Sequence, residues 1–186
     1  MTVPDALTWF RVVTSPALPV LAWTLGTGWV VGFLLVLQIT DWVDGPLARG
    51  LRQHTTVGAR LDSLADVLMF GSLLAALAVL EGRLLWDAWP WIAVAVGSYT
   101  ASSAYALARF GRMPTYHQWT AKVSGPITLV AALAVFLLGE GWPVRVAAAA
   151  VTLGNVEGAL ITSRLEEPRT DIPSVFALDG RDGGDA

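Results

Sequence analysis

Four aspartates fall within one run of 26 residues, DWVDGPLARGLRQHTTVGARLDSLAD, from Asp41 to Asp66. The segments on either side are apolar enough to lie in a membrane. An Asp in such a place costs roughly 2.5–3.5 kcal/mol on insertion scales, so four cost about 10–14 kcal/mol. Arg49, one of three arginines in the run with Arg52 and Arg60, cannot by itself offset them. Two divalent cations can, and carboxylate oxygens are the hard ligands that Mg²⁺, Mn²⁺ and Ca²⁺ prefer. Asp41 and Asp44 are three residues apart, and Asp62 and Asp66 are four apart, so each pair shares one helix face. The first face continues through Gly45, Ala48 and Arg52, and the second carries Gly58 and Ala65. Small residues let backbones approach closely in a bilayer and leave room for a ligand. Two antiparallel helices joined by a short loop would bring the four carboxylates to one depth. The chemistry implied is metal-assisted handling of phosphate at a membrane surface.

The elements that must position these residues are helices. Only 15% of the 186 residues are charged and 54% are hydrophobic, against about 25% charged in soluble domains. An all-α integral membrane protein with six transmembrane helices is expected, with spans near 6–25, 29–51, 57–80, 86–109, 119–139 and 143–164. The connections are short, at Gly26 to Gly28, Arg52 to Thr56, Glu81 to Arg83, Gly111 to His117 and Gly139 to Gly141. One transmembrane domain, 1–165, is therefore predicted, followed by an acidic cytoplasmic tail without structure, 166–186. The start MTVPDALTWFRVV has no basic stretch ahead of its apolar run and reads as a retained first helix. Cysteine is absent, which excludes thiol catalysis, disulfides and Cys-bound zinc.

Basic residues set the orientation. With both termini cytoplasmic, Arg11, Arg49, Arg52, Arg60, Arg109, Arg112, Lys122, Arg164, Arg169 and Arg181 fall on the cytoplasmic side, and only Arg83 and Arg145 on the other. Trp23, Trp29, Trp86, Trp89, Trp91 and Trp142 gather at the expected outer ends, as an interfacial aromatic belt does. The aspartates then face the cytoplasm, at the cytoplasmic membrane.

The motif Asp41-x-x-Asp44-Gly45-x-x-Ala48-Arg49, eight residues, then Gly58-x-x-x-Asp62-x-x-x-Asp66 resembles the signature of the CDP-alcohol phosphotransferase (CDP-alcohol phosphatidyltransferase) family at every fixed position. The resemblance implies a membrane enzyme of six-helix subunits, usually a homodimer. Such an enzyme moves a substituted phosphate from a CDP-linked lipid, CDP-diacylglycerol, to an alcohol and releases CMP. It also implies that Asp41, Asp44, Asp62 and Asp66 ligate two divalent cations, Mg²⁺ or Mn²⁺, and that Asp66 is the base for the acceptor hydroxyl. Asp44, Gly45, Ala48, Arg49 and Gly58 would then meet the nucleotide and its diphosphate. The N-terminal stretch Pro4 to Arg11 resembles a family segment in which Pro-Asn precedes a Thr and an Arg, with Asp5 here in place of Asn.

The acceptor side is expected in RFGRMPTYHQWTAK, where Arg109, Arg112 and Lys122 could bind a phosphate on the alcohol or serve only as topology residues. Thr40-Asp41-Trp42-x-Asp44-Gly45 resembles phosphatidylglycerophosphate synthases, which favours glycerol 3-phosphate. Val67 after Asp66, Ser63, and Ala121 before Lys122 depart from their pattern and leave inositol phosphate and phosphatidylglycerol open. Glu157, in the last span, is expected to be a structural carboxyl. An intramembrane prenyltransferase would need more spans and two separated Asp-rich motifs. A cation transporter, the different class, would spread its carboxylates along a path through the bilayer.

Overall fold

A computed structural model describes residues 3–51, 56–112, 116, 118–169 and 172–178, excepting the side chains of 3, 4, 44–51, 56–60, 62 and 63. Among the described residues six α-helices follow one another: α1 (Val3–Thr14), α2 (Ala17–Thr24), α3 (Thr27–Leu51), α4 (Thr56–Phe110), α5 (Trp119–Leu138) and α6 (Trp142–Arg164), with a short 3₁₀ turn at Val175–Ala177. The chain divides into two compact units, Met1–Leu85 and Trp86–Ala186.

Among the described residues, Leu64–Phe110, Trp119–Leu138 and Trp142–Arg164 are long and apolar enough to cross a membrane, and Thr27–Val43 is a shorter apolar helix. Large apolar side chains stand exposed on these helices, among them Trp86, Val94, Val130, Leu138 and Leu153. A soluble monomer rarely tolerates so much exposed apolar surface, whereas lipid covers it without cost. The chain is an integral membrane protein. A straight helix over the 47 residues Leu64–Phe110 would run about 70 Å, more than twice a hydrocarbon core. Its backbone leaves helical geometry at Glu81 (φ −134°, ψ 42°), inside the expected Glu81 to Arg83 connection. The third and fourth expected spans are thus two stretches of one element that meet at this break.

The first expected span, 6–25, is instead two helices, α1 and α2, separated at Ser15-Pro16. Pro16 and Pro19 lack the N–H groups that would carry a helix through this point. Ser15 caps the end of α1 by donating both its backbone N–H (2.9 Å) and its hydroxyl (2.6 Å) to the Arg11 carbonyl. The Leu18 N–H then bonds the Ser15 carbonyl at 3.0 Å in a tighter turn. Gly26, at φ 82°, turns the chain from α2 into α3. In the first unit α3 packs against both α1 and α2. Its buried Val30, Leu34, Leu37 and Gln38 lie on one face, and Asp41 extends that face by one turn.

In the second unit α5 packs on α6, and small residues set the distance. Gly154 and Gly158 are buried, and a Cβ on Gly154 would lie 3.6 Å from the Ala121 backbone nitrogen. Gly139, at φ 69°, caps α5 in the left-handed conformation. Among the described residues of the tail, 172–178 depart from the expected lack of structure. Ile172 and Val175 are buried with Tyr116, Ile161 and Leu165, and Leu178 packs against the cluster. The apolar residues at 172, 175 and 178 are spaced to put one face on α6, which outweighs the acidic composition around them.

Candidate functional site

Asp41 on α3 and Asp66 on α4 come together on one side chain, Arg11 of α1. A single Arg11 guanidinium nitrogen, Nη1, donates to Asp41 Oδ1 and, at 3.3 Å, to Asp66 Oδ1. Gln38 Nε2 donates to the other Asp41 oxygen at 3.3 Å. The Arg11 side chain is wholly buried, while Asp41 and Asp66 are 28% and 59% exposed. The positive charge therefore sits inside and the carboxylates form the open rim. Arg11 occupies the last turn of α1, where the helix dipole favours a cation. Ala65, beside Asp66, is fully buried and keeps bulk away from this end of α4.

Both carboxylates offer oxygen donors of the type Mg²⁺ or Mn²⁺ takes, and in this structure both accept from Arg11 Nη1. By donor chemistry alone the described part of the expected ligand set fits a divalent metal. The Asp44, Gly45, Ala48, Arg49, Gly58 and Asp62 side-chain positions lie outside the described residues. Among the described residues no group of three or more His, Cys, Asp or Glu stands together.

The expected acceptor residues belong to the second unit. Lys122 is exposed, with its Nζ 5.0 Å from the centre of the Trp119 ring. Arg109 donates from Nε (3.2 Å) and Nη2 (2.8 Å) to the Leu165 carbonyl at the end of α6, and from Nη1 to the Tyr105 hydroxyl at 3.3 Å. Arg112 reaches the Pro168 carbonyl at 3.5 Å. Both arginines thus hold the chain that follows α6, whereas Lys122 projects outward.

Glu157 holds the tail. Its carboxylate accepts from the Ser174 hydroxyl at 2.9 Å, from the Val175 N–H at 3.1 Å and from the Thr120 hydroxyl. The Trp119 N–H, at the start of α5, donates to the Pro173 carbonyl at 3.0 Å. Tyr116, between α4 and α5, exchanges a 2.8 Å hydrogen bond with Thr162. Burial pushes its hydroxyl above the ordinary phenol value, against the opposing pull of Thr162 and Arg109, so it stays neutral. Replacing Glu157 with Leu removes the acceptor common to all three donors. Trypsin cleavage at the exposed Arg169 is expected to accelerate at least about tenfold as residues 172–178 let go. An unchanged cleavage rate would show that the apolar cluster alone holds the tail.

The sequence presents Arg11 as a topology cation and part of the Pro4 to Arg11 stretch, and Glu157 as a structural carboxyl; a signal for the buried place of Arg11 is also present. Thr8, Arg11 and Ser15, spaced by three and four along α1 and its cap, are all buried, so an apolar helix turns its polar stripe inward.

Comparison with known proteins adds the family. The CDP-alcohol phosphatidyltransferase family model matches residues 1–156. CDP-diacylglycerol–glycerol-3-phosphate 3-phosphatidyltransferase 1 of Arabidopsis thaliana is 32% identical, over 82% of this chain and 50% of its own length. The CMP-forming cardiolipin synthase of Oryza sativa is 31% identical, over 82% of this chain and 45% of its own length. CDP-diacylglycerol–glycerol-3-phosphate 3-phosphatidyltransferase 2 of Arabidopsis thaliana is 30% identical, over 96% of this chain and 72% of its own length. The chain spans about half the length of the first two of these relatives. No solved structure matches. With the family model covering most of its length, and with Asp41 and Asp66 converging from two helices, the chain belongs to the CDP-alcohol phosphatidyltransferase family.

Proposed function

We propose that this protein transfers the phosphatidyl group of CDP-diacylglycerol to the hydroxyl of a phosphorylated alcohol, glycerol 3-phosphate, and releases CMP. The observation that carries the reading is the meeting of Asp41 and Asp66, from α3 and α4, at one buried guanidinium. Asp41, Asp44, Asp62 and Asp66 would hold two divalent cations, Mg²⁺ or Mn²⁺. When bound, these supply charge neutralisation for the diphosphate and acidify the acceptor hydroxyl. Asp66 accepts the proton of that hydroxyl as its oxygen attacks the β-phosphorus, the one that carries the diacylglycerol. The bond from that phosphorus to the bridging oxygen breaks, and CMP leaves with the electron pair. Arg49 is suited to the leaving phosphate, because a guanidinium matches its geometry with paired N–H groups. Gly45, Ala48 and Gly58 leave room for the nucleotide. A direct displacement is the simpler course, since the sequence around the motif does not read as a nucleophile paired with its base.

The basic residues favour a site and termini on the cytoplasmic face of the membrane, and the resemblance favours a homodimer. Lys122, exposed and the sole lysine of the chain, is the acceptor-phosphate ligand in this reading. Lys122→Ala is expected to raise the acceptor KM roughly tenfold and to leave the CDP-diacylglycerol KM within about twofold. Equal changes in both would return Lys122 to a topology role.

A second reading, with phosphatidylglycerol as acceptor, is favoured by the likeness to the rice cardiolipin synthase. Chromatography of the lipid product separates the two. Phosphatidylglycerophosphate formed from labelled glycerol 3-phosphate supports the first reading. Cardiolipin formed only when phosphatidylglycerol is supplied replaces it with the second.

A further inference from the structure

Arg11 has more to do than satisfy topology. We propose that it is a built-in counter-cation, which keeps Asp41 and Asp66 facing one another when no divalent metal is bound and limits how tightly the metal binds. The inference rests on the metal-site reading above. Its physical basis is the asymmetry of burial, with the guanidinium wholly buried and both carboxylates on the rim. A buried charge is tolerated only when paired, and Arg11 is paired across three helices, from α1 to α3 and α4. Its place is fixed by its own backbone, since the Ser15 hydroxyl and N–H both bond the Arg11 carbonyl at the break before Pro16. Gln38 holds the far oxygen of Asp41 and so turns the near one toward Arg11.

Two consequences follow from charge alone. Without Arg11, two or more carboxylates repel one another unless a metal is present, so stability becomes metal-dependent. With Arg11, a positive charge stands beside the site and opposes a second cation. A residue that merely packed would change stability equally with and without metal, so the two roles separate by experiment.

The test uses the full chain, purified in detergent, as wild type, Arg11→Met, Arg11→Lys and the double variant Arg11→Met with Asp41→Asn. In EDTA the Tm of Arg11→Met is expected to fall by roughly 5–10 °C, and 10 mM Mg²⁺ is expected to restore most of it. Arg11→Lys, which keeps the charge, falls less, and Asp41→Asn in the Arg11→Met background recovers stability in EDTA. Mn²⁺ binding by equilibrium dialysis is expected to tighten about tenfold in Arg11→Met. An equal Tm loss with and without Mg²⁺, or unchanged Mn²⁺ affinity, overturns the inference and leaves the metal-site reading in place. Absence of Mn²⁺ binding to wild type overturns the metal-site reading itself. If Arg11→Met does not fold, recovery of folding in the double variant supports the counter-charge role. Failure of both variants even in Mg²⁺ makes Arg11 a packing residue and overturns it.

Discussion

Asp66→Asn is expected to lower CMP release at least about a thousandfold while the protein remains folded. An amide keeps an oxygen for the Arg11 N–H but is too weak a base to take the acceptor proton. The Asp66 side chain is 59% exposed, so removing its charge disturbs the interior little. Asp41, the less exposed partner, continues to pair with Arg11. The variant should therefore show a Tm near that of wild type and still retain CDP-diacylglycerol, measurable by binding of the labelled lipid. Asp66→Glu separates charge from position. Its carboxylate is a base, but one methylene longer, and activity should return only in part. Turnover of Asp66→Asn within about tenfold of wild type would remove the residue from the mechanism, since a general base contributes about a hundredfold or more.

Gly158→Leu is expected to give the largest loss of stability, about 1–3 kcal/mol, read as a fall in Tm. A bare Cβ at this position already lies 3.3 Å from Gln118 Nε2 and 3.7 Å from Ser102 Oγ. Gln118 has little freedom to move, because it is buried and donates to the Gly154 carbonyl at 2.6 Å. A leucine must either break that bond or push α6 away from the start of α5. Gly158→Ala is the control, since its smaller clash is offset by up to about 1 kcal/mol of helix propensity. A Tm for Gly158→Leu equal to that of wild type would show that α6 does not depend on this close approach.

The two units differ in how much of them could be read from the chain. The aspartate spacing pointed to a common depth, and the structure brings Asp41 and Asp66 to one nitrogen. What balances them could not be read from the run alone, because Arg11 lies 30 residues before Asp41 and meets it only through the tertiary fold. By charge alone it is one more cytoplasmic topology cation. The helix break at Ser15-Pro16 has its signal in Pro16 and Pro19, which stand in an otherwise largely apolar stretch from Ala17 to Leu25. The tail hid its structure for the opposite reason. Its acids and prolines suggest no fold, yet Ile172, Val175 and Leu178 pack in an apolar cluster and Ser174 and Val175 donate to Glu157 of α6. Arg109 shows the same limit. Its charge reads as a phosphate ligand or a topology residue, and neither reading foretells the bonds from Nε and Nη2 to the Leu165 carbonyl, 56 residues away in sequence.

The central claim, metal-dependent phosphatidyl transfer from CDP-diacylglycerol, is tested most directly by CMP release from the purified protein. The assay supplies CDP-diacylglycerol, glycerol 3-phosphate and Mg²⁺, each omitted in turn. Release that needs all three, stops with EDTA and resumes with added Mg²⁺ is the expected result. Folded protein that binds Mn²⁺ yet releases no CMP, with glycerol 3-phosphate or with phosphatidylglycerol, would contradict it.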